Sequence, residues 1–345
     1  MTVAAIAPSS ESTASTSTKV RRVAIMGAGG LGRSAASLLA HKSEFRLVAL
    51  ADREGIAHDD AGISAEAVMA LPADKSVGTL KGGRACEDSV AELTALNKAG
   101  QLDAIFLAIP NIPNTFLPDV IRQFCEAGFK GVMADALKRT SAVESVMELS
   151  DLIRQSGMTY ITGCGATPGL LTAAANLAAQ SFVEVKDVKI WFGVGISSWE
   201  AYKATVREDI AHMPGYNVEK VKTLSDAQIA EILADRNGLL ELHHMEHADD
   251  VLLERAGVVN RERVDVGGLV DTTKPVKPTQ TMMTLTGVTF EGKTATHTFA
   301  LGNETSMAAN VLGPAFGWMK AAMAMHDRGL NGLYTCTDLM PQFVR

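Results

Sequence analysis

KVRRVAIMGAGGLGRSAASLLA, Lys19 to Ala40, decides the fold. Lys19 to Met26 ends as a β-branched and aliphatic strand, Gly27 to Gly32 reads G-x-G-x-x-G, and Arg33 to Ala40 is a helix of small residues. Strand, glycine turn and helix in that order form the opening of a dinucleotide-binding unit. The first glycine permits the tight turn, the second lets a pyrophosphate approach the backbone, and the third lets the helix pack closely. Free N–H groups and the positive end of the helix then face the phosphates. This makes Gly27, Gly29, Gly30, Leu31 and Gly32 candidate cofactor contacts. A second strand, Arg46 to Ala51, ends at Asp52, twenty residues past Gly32. Asp52 is placed for the adenosine ribose of NAD, whereas Arg53 suits the 2'-phosphate of NADP, so NADH and NADPH both stay open.

Working outward, Gly55 to Gly83 has weak periodicity and reads as an irregular excursion with a short helix near Ser64 to Leu71; Glu87 to Lys98 looks helical. Asp103 to Pro110 is a buried strand by its continuous apolar run, stopped by Pro110-Asn111-Ile112-Pro113-Asn114. In this fold the loop lies beside the nicotinamide half of the cofactor, so Asn111 is a candidate contact; Asn114 serves equally as the N-cap of a helix over Thr115 to Ala127. GVMADALKRT, Gly131 to Thr140, then puts Lys138 at the C-terminal edge of a buried strand, where open α/β sheets bind ligands. A helix over Ser141 to Ser156 and a strand over Met158 to Thr162 lead to Gly163-Cys164-Gly165-Ala166-Thr167-Pro168. Thr167 is the expected N-cap of the next helix, with Pro168 in its first turn, and Gly165 a candidate contact for cofactor. Cys164 reads as buried packing before it reads as a nucleophile.

From Val185 the pattern changes. Val185 to Val194, Val264 to Val270, Thr281 to Val288 and Thr294 to Ala300 read as an antiparallel sheet with one face covered. The intervening Trp199 to Ala256 is mostly helical and polar, carrying Arg207, Glu208, Asp209 and His212, then His243, His244, Glu246, His247, Asp249 and Asp250. His243 and His247 at i, i+4 invite a metal reading, but H-E-x-x-H is absent and no metal is expected. A single histidine as acid or base fits better. Asn303 to Ala324 is a long helix returning to the nucleotide domain. The fold class is therefore α/β: a Rossmann doubly wound parallel sheet with an inserted α+β domain containing an antiparallel sheet. The division is a disordered tail at 1–18, a nucleotide domain at 19–182, a substrate and oligomerisation domain at 183–302, and a returning helix and tail at 303–345.

The 345 residues suit two domains, and 47% hydrophobic with 21% charged residues is ordinary for a well-buried α/β protein. A net charge of -7 argues against a broad grip on nucleic acid or anionic membrane, leaving a small molecule as the expected partner. Cys86, Cys125, Cys164 and Cys336 form no CxxC pair, which points to a reducing, cytoplasmic setting. Residues 1–18 have neither the basic start nor the apolar core of a signal peptide, and no run is long and apolar enough to span a bilayer. The exposed face of the inserted sheet is the expected homo-oligomer surface.

The glycine turn, the lysine-bearing strand end and GCGATPGLL together resemble the saccharopine-dehydrogenase-like reductases. PNIPNTF, DALKRTSAVE, TGCGATPGLLTAA, REDIAHMPGY, MEHADD, FEGK, THTFALG and ETSMAANV are similar, more narrowly, to the biotin-synthesis suicide enzymes, the (S)-8-amino-7-oxononanoate synthases, over residues 20–345. The resemblance implies that Lys138 is the family's amino-donating lysine and His247 its acid/base histidine. It further implies that the Lys138 amine condenses with the C7 ketone of 8-amino-7-oxononanoate and that NAD(P)H reduces the imine. Bicarbonate or CO2 carboxylates the neighbouring substrate amine, the oxidised cofactor takes hydride from the lysine side-chain carbon, and hydrolysis releases a carbamate of 7,8-diaminononanoate. Lys138 is left as an aldehyde after one turnover. The amine must be neutral to attack, and Arg139 with the apolar strand are the expected perturbers. Arg207 and His212 are weaker candidates for the substrate carboxylate. Two other readings are a multiple-turnover NADP-dependent imine or amino-acid reductase of the saccharopine dehydrogenase type, with Lys138 as proton donor, and a silent dinucleotide-binding sensor.

Overall fold

The computed structural model describes residues 19–345 other than 73, 110–112, 197, 198, 200–202 and 304. β1 (Arg21–Met26) enters α1 (Gly30–Leu39) through the glycine turn, and β2 (Phe45–Ala51) returns parallel to β1. The excursion contains the expected short helix, α2 (Ala65–Ala70), and, where irregular chain was expected, two short strands, β3 (Gly55–His58) and β4 (Gly83–Ala85). Both short strands pair antiparallel, β3 on β2 and β4 on β3. With three to four residues each, they are too short for a periodic signal. α3 (Ser89–Lys98), capped by Asp88, leads to β5 (Ala104–Leu107), then α4 (Phe116–Ala127) and β6 (Val132–Asp135). The single helix expected over Ser141 to Ser156 is two, α5 (Thr140–Met147) and α6 (Ser150–Ser156), with Leu149 and Ile153 both buried in the core. β7 (Thr159–Thr162) then leads to α7 (Leu170–Ala179). Gly169 rather than Thr167 caps α7, its N–H donating to Thr172 Oγ1 at 2.8 Å, because the Thr167 hydroxyl is drawn to Asp249 instead.

The second half opens with β8 (Glu184–Gly195). α8 (Lys203–Ala211), α9 (Val218–Lys222), α10 (Asp226–Ala234), β9 (Leu239–Leu242) and α11 (Asp249–Arg255) follow. β10 (Val264–Asp271), β11 (Thr281–Val288) and β12 (Thr294–Leu301) complete this sheet. Its order is β12-β11-β8-β10-β9. It is mostly antiparallel, but β10 runs parallel to β8 over its whole length, Val264 opposite Val188 to Asp271 opposite Gly195. The long helical crossover between them supplies the connection that a parallel pair requires.

Finally, α12 (Met307–His326) packs on β6, β7 and α1, and β13 (Gly332–Thr335) adds a strand parallel to β7. The large sheet thus reads β13-β7-β6-β5-β1-β2-β3-β4, with β1 and β5 through β7 parallel at its centre. Val23, Ala24, Ile25, Ile105 and Phe106 are wholly buried there because helices cover both faces. A second core lies on the smaller sheet, and α7 serves both: Ala173 packs in the first, Leu171 and Ala175 in the second. No helix among the described residues is long and apolar enough to cross a membrane.

Candidate active site

The glycine turn has the geometry its sequence requires. Gly27 adopts φ 112°, and a Cβ there would lie 2.3 Å from the Ala108 carbonyl oxygen; a Cβ on Gly32 would lie 1.8 Å from that of Gly27. At Gly29 and Gly30 the same test meets nothing within 4 Å. Open space therefore borders the start of α1, which has no side-chain cap and no acid in its first turn. Leu31, in that turn, is partly exposed. This cradle fits a pyrophosphate on the N–H groups of Gly29 to Leu31.

The adenosine end differs from expectation. Asp52 accepts from the Glu54 and Gly55 N–H groups at 2.9 and 2.8 Å, from Ser76 Oγ at 2.9 Å and from the Val77 N–H at 2.7 Å. A carboxylate has about four acceptor sites. Asp52 thus holds the β2–β3 corner and the loop beyond it, with little capacity left for ribose hydroxyls. Arg53 projects into solvent, paired among the described residues only with Glu54 at 2.8 Å. Asn111 lies outside the described residues.

At the other end of the crevice, Asp135 closes β6 and is wholly buried. It accepts from the Leu137 and Gly163 N–H groups, both at 3.0 Å, from Tyr160 Oη at 2.7 Å and from Thr162 Oγ1 at 3.1 Å. Burial raises its carboxyl against the pull of these donors. The same bonds fix the turn that delivers Lys138. Lys138 Nζ lies 3.9 Å from Glu208 Oε2 of α8, and its carbonyl accepts the Ala248 N–H at 2.7 Å. Arg139, the expected perturber beside it, is itself paired with acids. Its guanidinium meets Glu246 at 3.1 Å and Glu208 at 4.0 Å. Burial would raise the Glu246 carboxyl, but hydrogen bonds from Ser141 and Arg139 hold it below its usual range. Asn114 donates to Ser141 Oγ at 2.7 Å and caps no helix, since α4 begins from Thr115.

His247 comes to the same place from the second half. His243 to Ala248 is a connecting segment, not the helix assumed for the i, i+4 pair, so His243 bonds Glu241 and packs on Trp191 while His247 turns inward. Among the described residues no group of three or more His, Cys, Asp or Glu side chains is placed to hold a metal. His247 Nδ1 lies 2.7 Å from Oδ2 of Asp249, which is wholly buried and also accepts Thr167 Oγ1 at 2.7 Å and Thr172 Oγ1. A carboxylate on Nδ1 favours the tautomer with its proton there, which leaves Nε2 as the free basic nitrogen.

Arg207 does not reach this cluster. Its guanidinium donates to the Val221 and Leu224 carbonyls at 3.3 and 2.8 Å and to Asp226 at 2.7 Å, tying α8 to the α9–α10 link. His212 does belong to it: burial pushes its imidazole down, and Glu208, Lys138, Glu246 and Arg139 all act on it. Gly165 sits between the β6 end and α12, where an added Cβ would be 3.6 Å from both Ala136 and Val311. Asn310, beside Val311, is buried with its Nδ2 unpartnered among the described residues. Cys164 is wholly buried and burial drives its thiol well up, so it is packing. Sequence reasoning passed over Asp249, Glu208 and Asp209 as solvated helix charge; their only signal was a high density of acids beside histidines.

A lysine at the sheet edge and a carboxylate-held histidine are thus joined across the two halves by one backbone hydrogen bond, beside a dinucleotide cradle. The (S)-8-amino-7-oxononanoate synthase BioU of Haloferax mediterranei is 40% identical over 353 residues, covering 93% of this chain and 98% of that protein. This chain belongs to the BioU family. The Glutamate/Leucine/Phenylalanine/Valine dehydrogenase family model matches residues 2–110. Among solved structures, the apo saccharopine dehydrogenase (L-Glu forming) of Saccharomyces cerevisiae aligns with a TM-score of 0.55 at 14% identity, covering 92% of this chain and 94% of that one. The DAP dehydrogenase of C. glutamicum in complex with DAP aligns at 0.53 and 16%, covering 93% and 94%. Those two likenesses establish the fold, a dehydrogenase-type Rossmann sheet with a second, mostly antiparallel sheet. BioU membership marks the chain as an enzyme of biotin biosynthesis.

Proposed function

We propose that this chain converts (S)-8-amino-7-oxononanoate to the carbamate of 7,8-diaminononanoate in a single turnover, with its own Lys138 amine as amino donor and bicarbonate or CO2 as co-substrate. The observation that carries the reading is the 2.7 Å hydrogen bond from the Ala248 N–H to the Lys138 carbonyl. It holds the Lys138 backbone against the segment that carries His247, from opposite halves of the fold, which supports an amine and an acid/base group serving one reacting carbon.

In this reading Lys138 attacks the C7 ketone, losing water to give an imine. His247, its Nδ1 held by Asp249, exchanges protons through Nε2 with the substrate nitrogen or oxygen, the general acid/base chemistry an imidazole performs. Gly27, Gly29, Gly30, Leu31 and Gly32, with Gly165 at the nicotinamide end, would hold NAD(P)H, which would supply the hydride for the imine and, once oxidised, take one back. The buried Asn310 amide offers a donor to a ligand acceptor at that end. His212, whose imidazole burial pushes down, suits a polar contact to substrate. Hydrolysis at the Lys138 side-chain carbon then releases the nitrogen with the product and leaves an aldehyde.

Lys138→Arg keeps the charge and removes imine chemistry. The account requires that this variant bind NADPH and make no product; product formation by Lys138→Arg rejects the donor role and favours a multiple-turnover reductase. We also infer self-association through β12, an edge strand whose residues Thr296 to Ala300 are exposed and include Phe299. A sedimentation experiment showing only monomer would reject it.

A further inference from the structure

Glu208 reaches Lys138 from the other half of the fold. Its helix, α8, is fixed by wholly buried Val206 and Ile210 and by the Arg207 bonds to the Val221 and Leu224 carbonyls and to Asp226. Glu208 then stands between two cations of the β6–α5 connection, with Oε2 3.9 Å from Lys138 Nζ and Oε1 4.0 Å from Arg139 Nη1. Both separations exceed hydrogen-bond length. The carboxylate therefore faces the Lys138 nitrogen without locking it. Nζ, on a side chain 41% exposed, keeps its freedom to bond a ketone carbon.

We propose that Glu208 is the counter-ion of the iminium that forms on the Lys138 nitrogen. The proposal rests on the reading of Lys138 as the attacking amine. The lysine ammonium first gives up a proton, and the neutral amine bonds the ketone carbon. The carbinolamine hydroxyl then takes up a proton and leaves as water, its C–O bond broken by the nitrogen lone pair. Over the whole step ammonium and ketone become iminium and water, so the single positive charge ends on the nitrogen where it began, opposite the same carboxylate. An imine nitrogen is a far weaker base than an amine, and its protonated form is the good hydride acceptor. An opposite charge within about 4–6 Å favours that charged form.

The other titratable groups around this nitrogen are differently engaged. Glu246, from the segment before α11, bonds Arg139 at 3.1 Å and the Ser141 N–H at 3.2 Å. His247, in the same segment, is tied through Nδ1 to Asp249. On α8 itself, burial pushes the Asp209 carboxyl up to about 7, which leaves it only partly charged at neutral pH, and pushes the His212 imidazole down. Arg139 tempers Glu208 without replacing it, since it faces the other carboxylate oxygen. Glu208 also favours the ammonium of the free lysine, so a useful assay must read the iminium alone.

Cyanoborohydride provides that reading, because it reduces an iminium, leaves a neutral imine and needs no nicotinamide. The full chain is saturated with 8-amino-7-oxononanoate, and trapping of the Lys138 adduct is followed by intact and peptide mass from about pH 5.5 to 8.5. The trapping rate falls as pH rises through loss of the iminium proton. Glu208→Gln moves that inflection down by about one pH unit, the low end for an opposite charge at this distance, because Glu208 is a third exposed and screened by water. Above the inflection, trapping is then about tenfold slower than in the wild type. Glu208→Asp, which keeps the charge but draws it back by one methylene, falls between the two. The NADPH affinity of Glu208→Gln, read by fluorescence titration, stays at the wild-type value, which separates the effect from misfolding. An inflection at the wild-type pH in Glu208→Gln, while the wild type is trapped at Lys138, overturns this proposal and leaves the Lys138 reading intact. A wild type that is never trapped at Lys138 overturns both readings together.

Discussion

Asp249→Asn isolates what the buried carboxylate does for His247. Three donors converge on Asp249: His247 Nδ1 and Thr167 Oγ1 on one oxygen, Thr172 Oγ1 on the other. Asparagine offers one acceptor oxygen and an NH2 group that can only donate. With its oxygen toward Thr172, the amide opposes two donors; turned round, it opposes Thr172. The threonine hydroxyls can rotate, but an NH2 facing Nδ1 requires the imidazole to move its proton to Nε2, the atom needed as a base. A hydrogen bond to a charged group contributes about 1.5–3 kcal/mol, so losing one with partial relaxation costs about 1–3 kcal/mol of stability. The loss of a correctly held acid/base group slows the chemistry by about 10²–10⁴-fold. The assay is single-turnover product formation measured beside NADPH affinity and urea unfolding. Slow chemistry with wild-type cofactor affinity is expected. A variant destabilised as stated but reacting at the wild-type rate would refute the reasoning, because Asp249 would then be a structural acid only.

Gly32→Ala places a methyl 1.8 Å from a backbone oxygen, where no rotamer change relieves it, so the glycine turn must deform. The variant should lose about 1–3 kcal/mol of stability, and fluorescence titration should show NADPH binding weakened by at least about tenfold. Arg207→Met removes the tie to Val221, Leu224 and Asp226; urea unfolding should show a loss of about 1–3 kcal/mol, whereas substrate affinity should be unchanged, and a large rise in substrate Kd would restore Arg207 as a carboxylate anchor. Glu44 is held below the usual carboxylate range first by Lys320 and then by the Arg345 N–H. Its folded value is depressed, so its stabilisation is present above the unfolded value of about 4.3 and is lost as pH falls through the folded one. The Tm gap between wild type and Glu44→Gln should therefore be larger at pH 7 than at pH 3, and an equal gap at both would contradict the assignment.

The nucleotide half was legible because its signals are local. A buried strand, three glycines at fixed spacing and a small-residue helix need no distant partner to be read. Lys138 was legible for the same reason, since a strand end in such a sheet has one kind of surroundings. What failed depended on partners far along the chain. Asp52 sits where a ribose-binding acid belongs, yet Ser76 and Val77, twenty-odd residues on, capture it. Thr167 has the sequence of an N-cap, but Asp249 from the other half draws it away. His243 and His247 have helical spacing on a segment that is irregular, with His244 at a positive φ. The parallel β8–β10 pair was hidden because alternating residues look alike in either direction. The carboxylates that meet Arg139, Glu208 and Glu246, were out of view because neither is near it in sequence.

The central claim is that Lys138 is consumed. Peptide mass spectrometry of the full chain after incubation with 8-amino-7-oxononanoate, NADPH and bicarbonate tests it directly. The account predicts an amine-to-aldehyde change at Lys138, with no more than one product formed per chain. Many products per chain with an unmodified Lys138 would contradict it.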